Sequence, residues 1–108
     1  MALTEKGTLA FGVEVDGVVH KDFELRLATM ADWEDALEAA GEGACQARVN
    51  RHAWAKTLVK LGALPREQIT AELLGSLAAT EYGLLAAAEA SLRGKLAAAN
   101  ASSGSSGS

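Results

Sequence analysis

The chain has little of what chemistry usually requires. Its 108 residues include one cysteine, two histidines and one proline, and aromatic residues make up only 5%. A single Cys45 cannot close an internal disulfide. Neither a Cys-x-x-Cys nor a His-Glu-x-x-His pattern is present to build a zinc shell. Long apolar runs are also missing. The most apolar stretch, around Leu84 to Ala90, is far shorter than the roughly 20 residues needed to span a bilayer. Basic residues are outnumbered, 10 Lys and Arg against 14 Asp and Glu, for a net charge of −4. That balance argues against nucleic acid, whose phosphates call for clustered cations. With a lone thiol and nothing like a signal peptide, the expected setting is a reducing cytoplasm, with no membrane and no cofactor.

What is present suits one small domain. Hydrophobic residues make up 49% and charged residues 22%, ordinary for a globular chain. Many of the hydrophobic residues are Ala, which buries little area, so a thin core is expected around Phe11, Phe23, Trp33, Trp54 and the leucines. Such a core would lean on a partner or on further copies of the chain. The domain is read as residues 1–100, and residues 101–108 as a flexible Ser/Gly linker or tag.

The fold class expected is α+β, an N-terminal β-hairpin followed by a small bundle of about four helices. Leu9, Phe11, Val13 and Val15 alternate with smaller or polar residues, as do Val19, Lys21, Phe23, Leu25 and Leu27. Asp16-Gly17 lies between the two runs and signals a hairpin. A two-residue loop there would place Val15 opposite Val18 and put the two apolar sets on opposite faces. A three-residue loop, Val15-Asp16-Gly17, avoids this by pairing Val13 with Val19 and Leu9 with Phe23. Thr29 can cap a first helix, on which Met30, Trp33, Leu37 and Ala40 share a face, with Gly41 as its stop. The spacing predicts a second helix over 44–61, with Trp54, Leu58 and Leu61 on its apolar face. Leu64-Pro65 opens a short third helix reaching Leu74, and a long one follows over 77–98.

Four features could carry function. Cys45 and His52 lie seven apart on one helical face, but two ligands do not make a metal site. Asp32, Glu34, Asp35 and Glu38 give the first helix a single sign of charge, and Arg48, Arg51, His52, Lys56 and Lys60 give the second the opposite sign. These sets are better suited to pairing with each other, within one molecule or between neighbours, than to acid–base catalysis or nucleic acid. The last helix is apolar around much of its circumference. Leu77, Leu84, Ala88 and Leu92 form one stripe, and Tyr82, Leu85, Leu92 and Leu96 an overlapping one. It reads either as a homo-oligomer seam or groove for a client helix, or as a central helix enclosed by the rest of the domain. The candidate protein-binding residues are therefore Glu34, Glu38, Arg48, Arg51, Tyr82, Leu85, Leu92 and Leu96. No catalytic residue is expected.

Three segments, in order, resemble the tail assembly chaperones of Mu-like tailed bacteriophages. Leu25-Arg26-Leu27-Ala28-Thr29-Met30-Ala31-Asp32 is similar to the family's strand-to-helix junction. Leu58-Val59-Lys60-Leu61-Gly62-Ala63-Leu64-Pro65-Arg66-Glu67-Gln68-Ile69 resembles its Leu-Pro followed by a short acidic helix. Glu81-Tyr82-Gly83-Leu84-Leu85 stands where an acidic–aromatic pair opens the final helix. The resemblance implies a non-enzymatic protein that binds and solubilises the tape measure protein during assembly of the tail tube, in the cytoplasm of the bacterial host. It also implies contact with the tail tube protein through a longer product of translational frameshifting. A small structural adaptor retained in a phage-like tail or baseplate is the alternative. Opposite charges on the first two helices suit head-to-tail stacking of copies along one client.

Overall fold

The structure, a computed structural model, describes residues 4–106. It opens with a three-stranded antiparallel sheet in the order β1-β2-β3, built from β1 (Thr4–Val15), β2 (Val18–Arg26) and β3 (Leu58–Leu61). The helices are α1 (Met30–Ala40), α2 (Gln46–Thr57), α3 (Ala71–Leu74) and α4 (Glu81–Ser106), with a 3-10 turn at Arg66–Gln68. The α+β class and the N-terminal hairpin are as expected. The third strand is an addition, and α4 continues to Ser106 through the segment read as a linker.

The hairpin corrects the expected register. Its loop has two residues, with Val15 opposite Val18 and positive φ at both Asp16 (53°) and Gly17 (80°), as a type I′ turn requires. Val13 faces His20, not Val19, and Phe23 faces Gly7, not Leu9. The conflict of apolar phase is real, but it is resolved in mid-strand rather than at the turn. Leu9 to Gly12 bulge out opposite Lys21, and pairing resumes at Thr8 and Asp22. Gly12 takes φ 76° within this bulge, a conformation costly for any residue with a Cβ. Leu9 and Val13 both reach the interior as a result, while Phe11, expected in the core, is 66% exposed. Val19 is exposed as well.

The second helix is also shorter than its apolar spacing predicts. α2 stops at Thr57, and Leu58–Leu61 pairs as β3 on the open edge of β2. Arginine side chains take the carbonyls that a longer helix would have used. Arg66 donates to the oxygens of Ala55 and Lys56 at 2.7 and 2.9 Å, and Arg26 donates to that of Lys56 at 3.2 Å. A bulge at Val59 lets Leu58 and Leu61 both point inward. The segment after Pro65 forms a 3-10 turn and then a four-residue α3, capped where the Thr70 hydroxyl accepts from the Leu73 amide.

The main core lies between the inner face of the sheet, α2 and α4. It joins Leu9, Phe23, Leu25, Trp54, Leu58, Leu61, Ile69, Leu74 and Leu85. A second, smaller core seals α1 onto α2 through Ala36, Val49 and Ala53, with Ala40 and Ala44 at its margin. An alanine seam allows close approach of the two helices. The larger apolar residues of α1 flank this seam rather than fill it.

Candidate protein-binding surface

Helix α1 is firmly placed by its first turn. The Thr29 hydroxyl accepts from the Asp32 amide at 3.1 Å, and the Asp32 carboxylate accepts from the Thr29 amide at 2.9 Å, a reciprocal capping box. The same carboxylate accepts from Arg26 Nη1 at 2.6 Å, tying the helix start to the end of β2. The Arg26 hydrogen bond holds the Asp32 carboxyl well below its ordinary range; partial burial opposes this, and the bonds from Thr29 reinforce it. Arg26 is shifted up in turn.

The face this anchoring presents is not the one expected to be buried. Met30 is 83% exposed, Leu37 46% and Trp33 38%, whereas Ala36 is completely enclosed. Periodicity correctly places Met30, Trp33 and Leu37 together, but they lie beside the seam with α2 rather than in it. Beside them a cleft of about 680 Å³ opens between α1, the start of α2 and α4. Its apolar lining is Leu27, Ala28, Met30 and Trp33, and its polar lining includes Glu34, Gln46, Asn50, Glu89 and Arg93. An apolar floor with a mixed-charge rim can hold one side of an amphipathic helix.

A second cleft, of about 380 Å³, lies between α2 and the turn leading into α4. Arg48, Arg51, Tyr82 and Leu85 line it, so four of the expected binding residues meet here. Tyr82 is held in place: its hydroxyl accepts from Asn50 Nδ2 at 2.6 Å, and its ring meets Trp54 edge-on at 4.9 Å between centroids. Glu34 belongs to the first cleft, and Glu38 is exposed further along α1. Two expectations are corrected. Leu85 and Leu92 are 3% and 0% exposed, so they are committed to this domain's own core and cannot form an open seam. Leu96 is half-buried, and Leu84 from the other stripe is exposed. Among the described residues of α4, the buried ones, Glu81, Leu85, Ala88 and Leu92, mark one side.

The expected pairing of α1 with α2 reduces to one contact among the described residues, Lys56 to Asp35 at 3.4 Å. Cys45 is exposed at the start of α2. Among the described residues no three His, Cys, Asp or Glu side chains lie where they could hold a metal ion, and no helix is long and apolar enough to cross a membrane.

One polar group of structural weight escapes sequence reasoning. Glu81, the first residue of α4, is 1% exposed. Its carboxylate accepts from the amides of Ala10 at 2.9 Å, Phe11 at 3.0 Å and Gly12 at 2.9 Å. Burial alone would raise this carboxyl. The three amide bonds, with the charge of Lys21, outweigh it and leave the group below its ordinary value. Comparison with protein families, with curated proteins and with solved structures finds no match for the chain.

Proposed function

We propose that this chain is a non-enzymatic tail assembly chaperone of the Mu-like kind, binding and solubilising a tape measure protein while tail tube subunits polymerise around it. The observation that carries the reading is the exposed Met30, Trp33 and Leu37 on a helix whose own share of the seam with α2 is alanine. A stripe of this size left in water on so small a domain costs solubility and is spent on a partner. A tape measure protein is a long, largely helical client with apolar stripes of its own, and the α1–α4 cleft suits one turn after another of such a helix. Several copies, each binding weakly, hold one client by avidity. The tail tube protein, reached through a longer frameshifted product, and the cytoplasm of the bacterial host complete the proposal.

Co-expression with the tape measure protein encoded nearby tests it, read by solubility and by size-exclusion chromatography with light scattering. The expected result is a client that is insoluble alone and co-elutes with several copies of this chain. A client that ignores the chain, together with recovery of the chain in purified tails, overturns the chaperone reading in favour of the retained adaptor.

A further inference from the structure

The acidic edge of α1 and the arginine cleft of α2 stand on opposite sides of the α1–α2 layer. At about 100° per residue around α2, the midpoint of Arg48 and Arg51 lies about 150° from that of Val49 and Ala53, the residues packed toward α1. Around α1 the same count places Glu34 and Glu38 on the arc directed away from the Ala36–Ala40 seam.

Both charged sets lack partners within the domain. Among the described residues neither Arg48 nor Arg51 has a carboxylate within salt-bridge distance, and the Nε of Arg51 is buried without a hydrogen-bond acceptor. The Arg51 guanidinium lies close over Gly75, where a Cβ would collide with Nη1. Glu81 lines the same cleft, but its carboxylate is bonded to the bulge of β1 and is not within salt-bridge distance of either arginine. On α1, Asp35 is used by Lys56, while Glu34 and Glu38 are exposed and have no cationic partner among the described residues.

The geometry points to a head-to-tail contact between copies of this chain, in which Glu34 and Glu38 of one copy enter the Arg48–Arg51 cleft of the next. The spans match. Residues four apart on one helix and three apart on the other are separated along their axes by about 6 and 4.5 Å, so two ion pairs form side by side. Both arginines line the cleft, so each can offer guanidinium donors to an incoming carboxylate. Because the two surfaces differ and face opposite ways, the contact is heterologous and propagates as an open chain. It needs no client, although Glu34 also borders the α1–α4 cleft.

A charge swap tests the contact on the chain alone. The unaltered chain, followed by sedimentation at low salt, should show a mass that rises with concentration, and high salt should suppress the rise. Glu34→Arg with Glu38→Arg should weaken self-association at least tenfold, as should Arg48→Glu with Arg51→Glu. An equimolar mixture of these two variants should recover it, since each then offers the other opposite charges at both contacts. Arg48→Glu alone, at an exposed position, serves if the half-buried Arg51 proves necessary for folding, and circular dichroism checks each variant. A wild-type chain that stays monomeric, a variant that associates as the wild type does, or a mixture that stays apart overturns the inference.

Discussion

The carboxylate of Glu81 accepts the amide proton of Gly12 at 2.9 Å, across 69 residues of chain. With the neighbouring amides of Ala10 and Phe11, this contact fastens the first residue of α4 into the β1 bulge. The bulge would otherwise leave three amides without ladder partners beside a hydrophobic core, and the carboxylate is the one side chain that satisfies them all. Glu81→Gln keeps the size but offers a single acceptor and turns an N–H toward N–H donors. We expect it to destabilise the fold by about 3 kcal/mol, the scale of breaking a buried, charge-assisted network. Urea denaturation measures this, and a loss below about 1 kcal/mol would show that water replaces the carboxylate without difficulty.

Gly12 is the other half of that contact. A Cβ at this position would lie 2.5 Å from the carbonyl oxygen of His20, on a backbone with φ 76°. Gly12→Ala should therefore cost more than the roughly 1 kcal/mol of left-handed strain alone, because backbone cannot move aside as a side chain can. Gly17→Ala is the natural comparison, with φ 80° and open space around it. The two unfolding midpoints should differ clearly, with the Gly12 variant lower. Equal midpoints would mean that the bulge yields easily.

Acid should act through two carboxyls. Asp32 and Glu81 are both held below their ordinary values. Each therefore favours the folded state fully at pH values above its unfolded pKa, about 4, and loses that contribution as the pH falls through its folded value. The urea midpoint should be level from pH 7 to about 5 and decline from about pH 4 downward. Asp32→Asn and Glu81→Gln should each start from a lower midpoint and decline less steeply. A wild-type midpoint that stays level down to pH 2 would contradict this account.

The sequence shows the fold best where interactions are local. Thr29 and Asp32 cap α1 within one turn, and Asp16-Gly17 marks the hairpin from adjacent residues. The hairpin's loop length and register are not legible, because the bulge that reconciles the two strands lies elsewhere in β1. Leu58 and Leu61 are not legible either: a spacing of three fits a helix face, and it fits equally a bulged strand closing onto β2. What decides is Arg66, Arg26 and the open sheet edge, all outside the segment. For α1, periodicity groups Met30, Trp33 and Leu37 but says nothing of which side is covered. Ala36 and Ala40 carry too little hydrophobic weight to reveal that the seam runs through them. The opposite charges of α1 and α2 are readable from the sequence. The choice between an open and an enclosed α4 stripe, settled by the burial of Leu85 and Leu92, is not, because one stripe of α4 looks as apolar as another. Glu81 gave no signal beyond its place at a helix start, since its partners lie 69 to 71 residues away.

Trp33 separates binding from stability. At 38% exposure, against 3% for Trp54, it belongs to neither core cluster and lines the α1–α4 cleft. Trp33→Ala should lower the unfolding free energy by about 1–2 kcal/mol, less than the roughly 3–5 kcal/mol of emptying a core tryptophan. It should nonetheless weaken client binding at least tenfold, about 1.4 kcal/mol, because an exposed tryptophan at the centre of an apolar patch is the expected anchor of a contact. Acrylamide should quench the wild-type fluorescence readily and the Trp33→Ala protein poorly, leaving only the enclosed Trp54 to emit. Addition of client should protect the wild-type signal. If the client binds with Trp33 still open to quencher, the contact lies on another face, and the Arg48–Arg51 cleft with its ordered Tyr82 becomes the surface to probe.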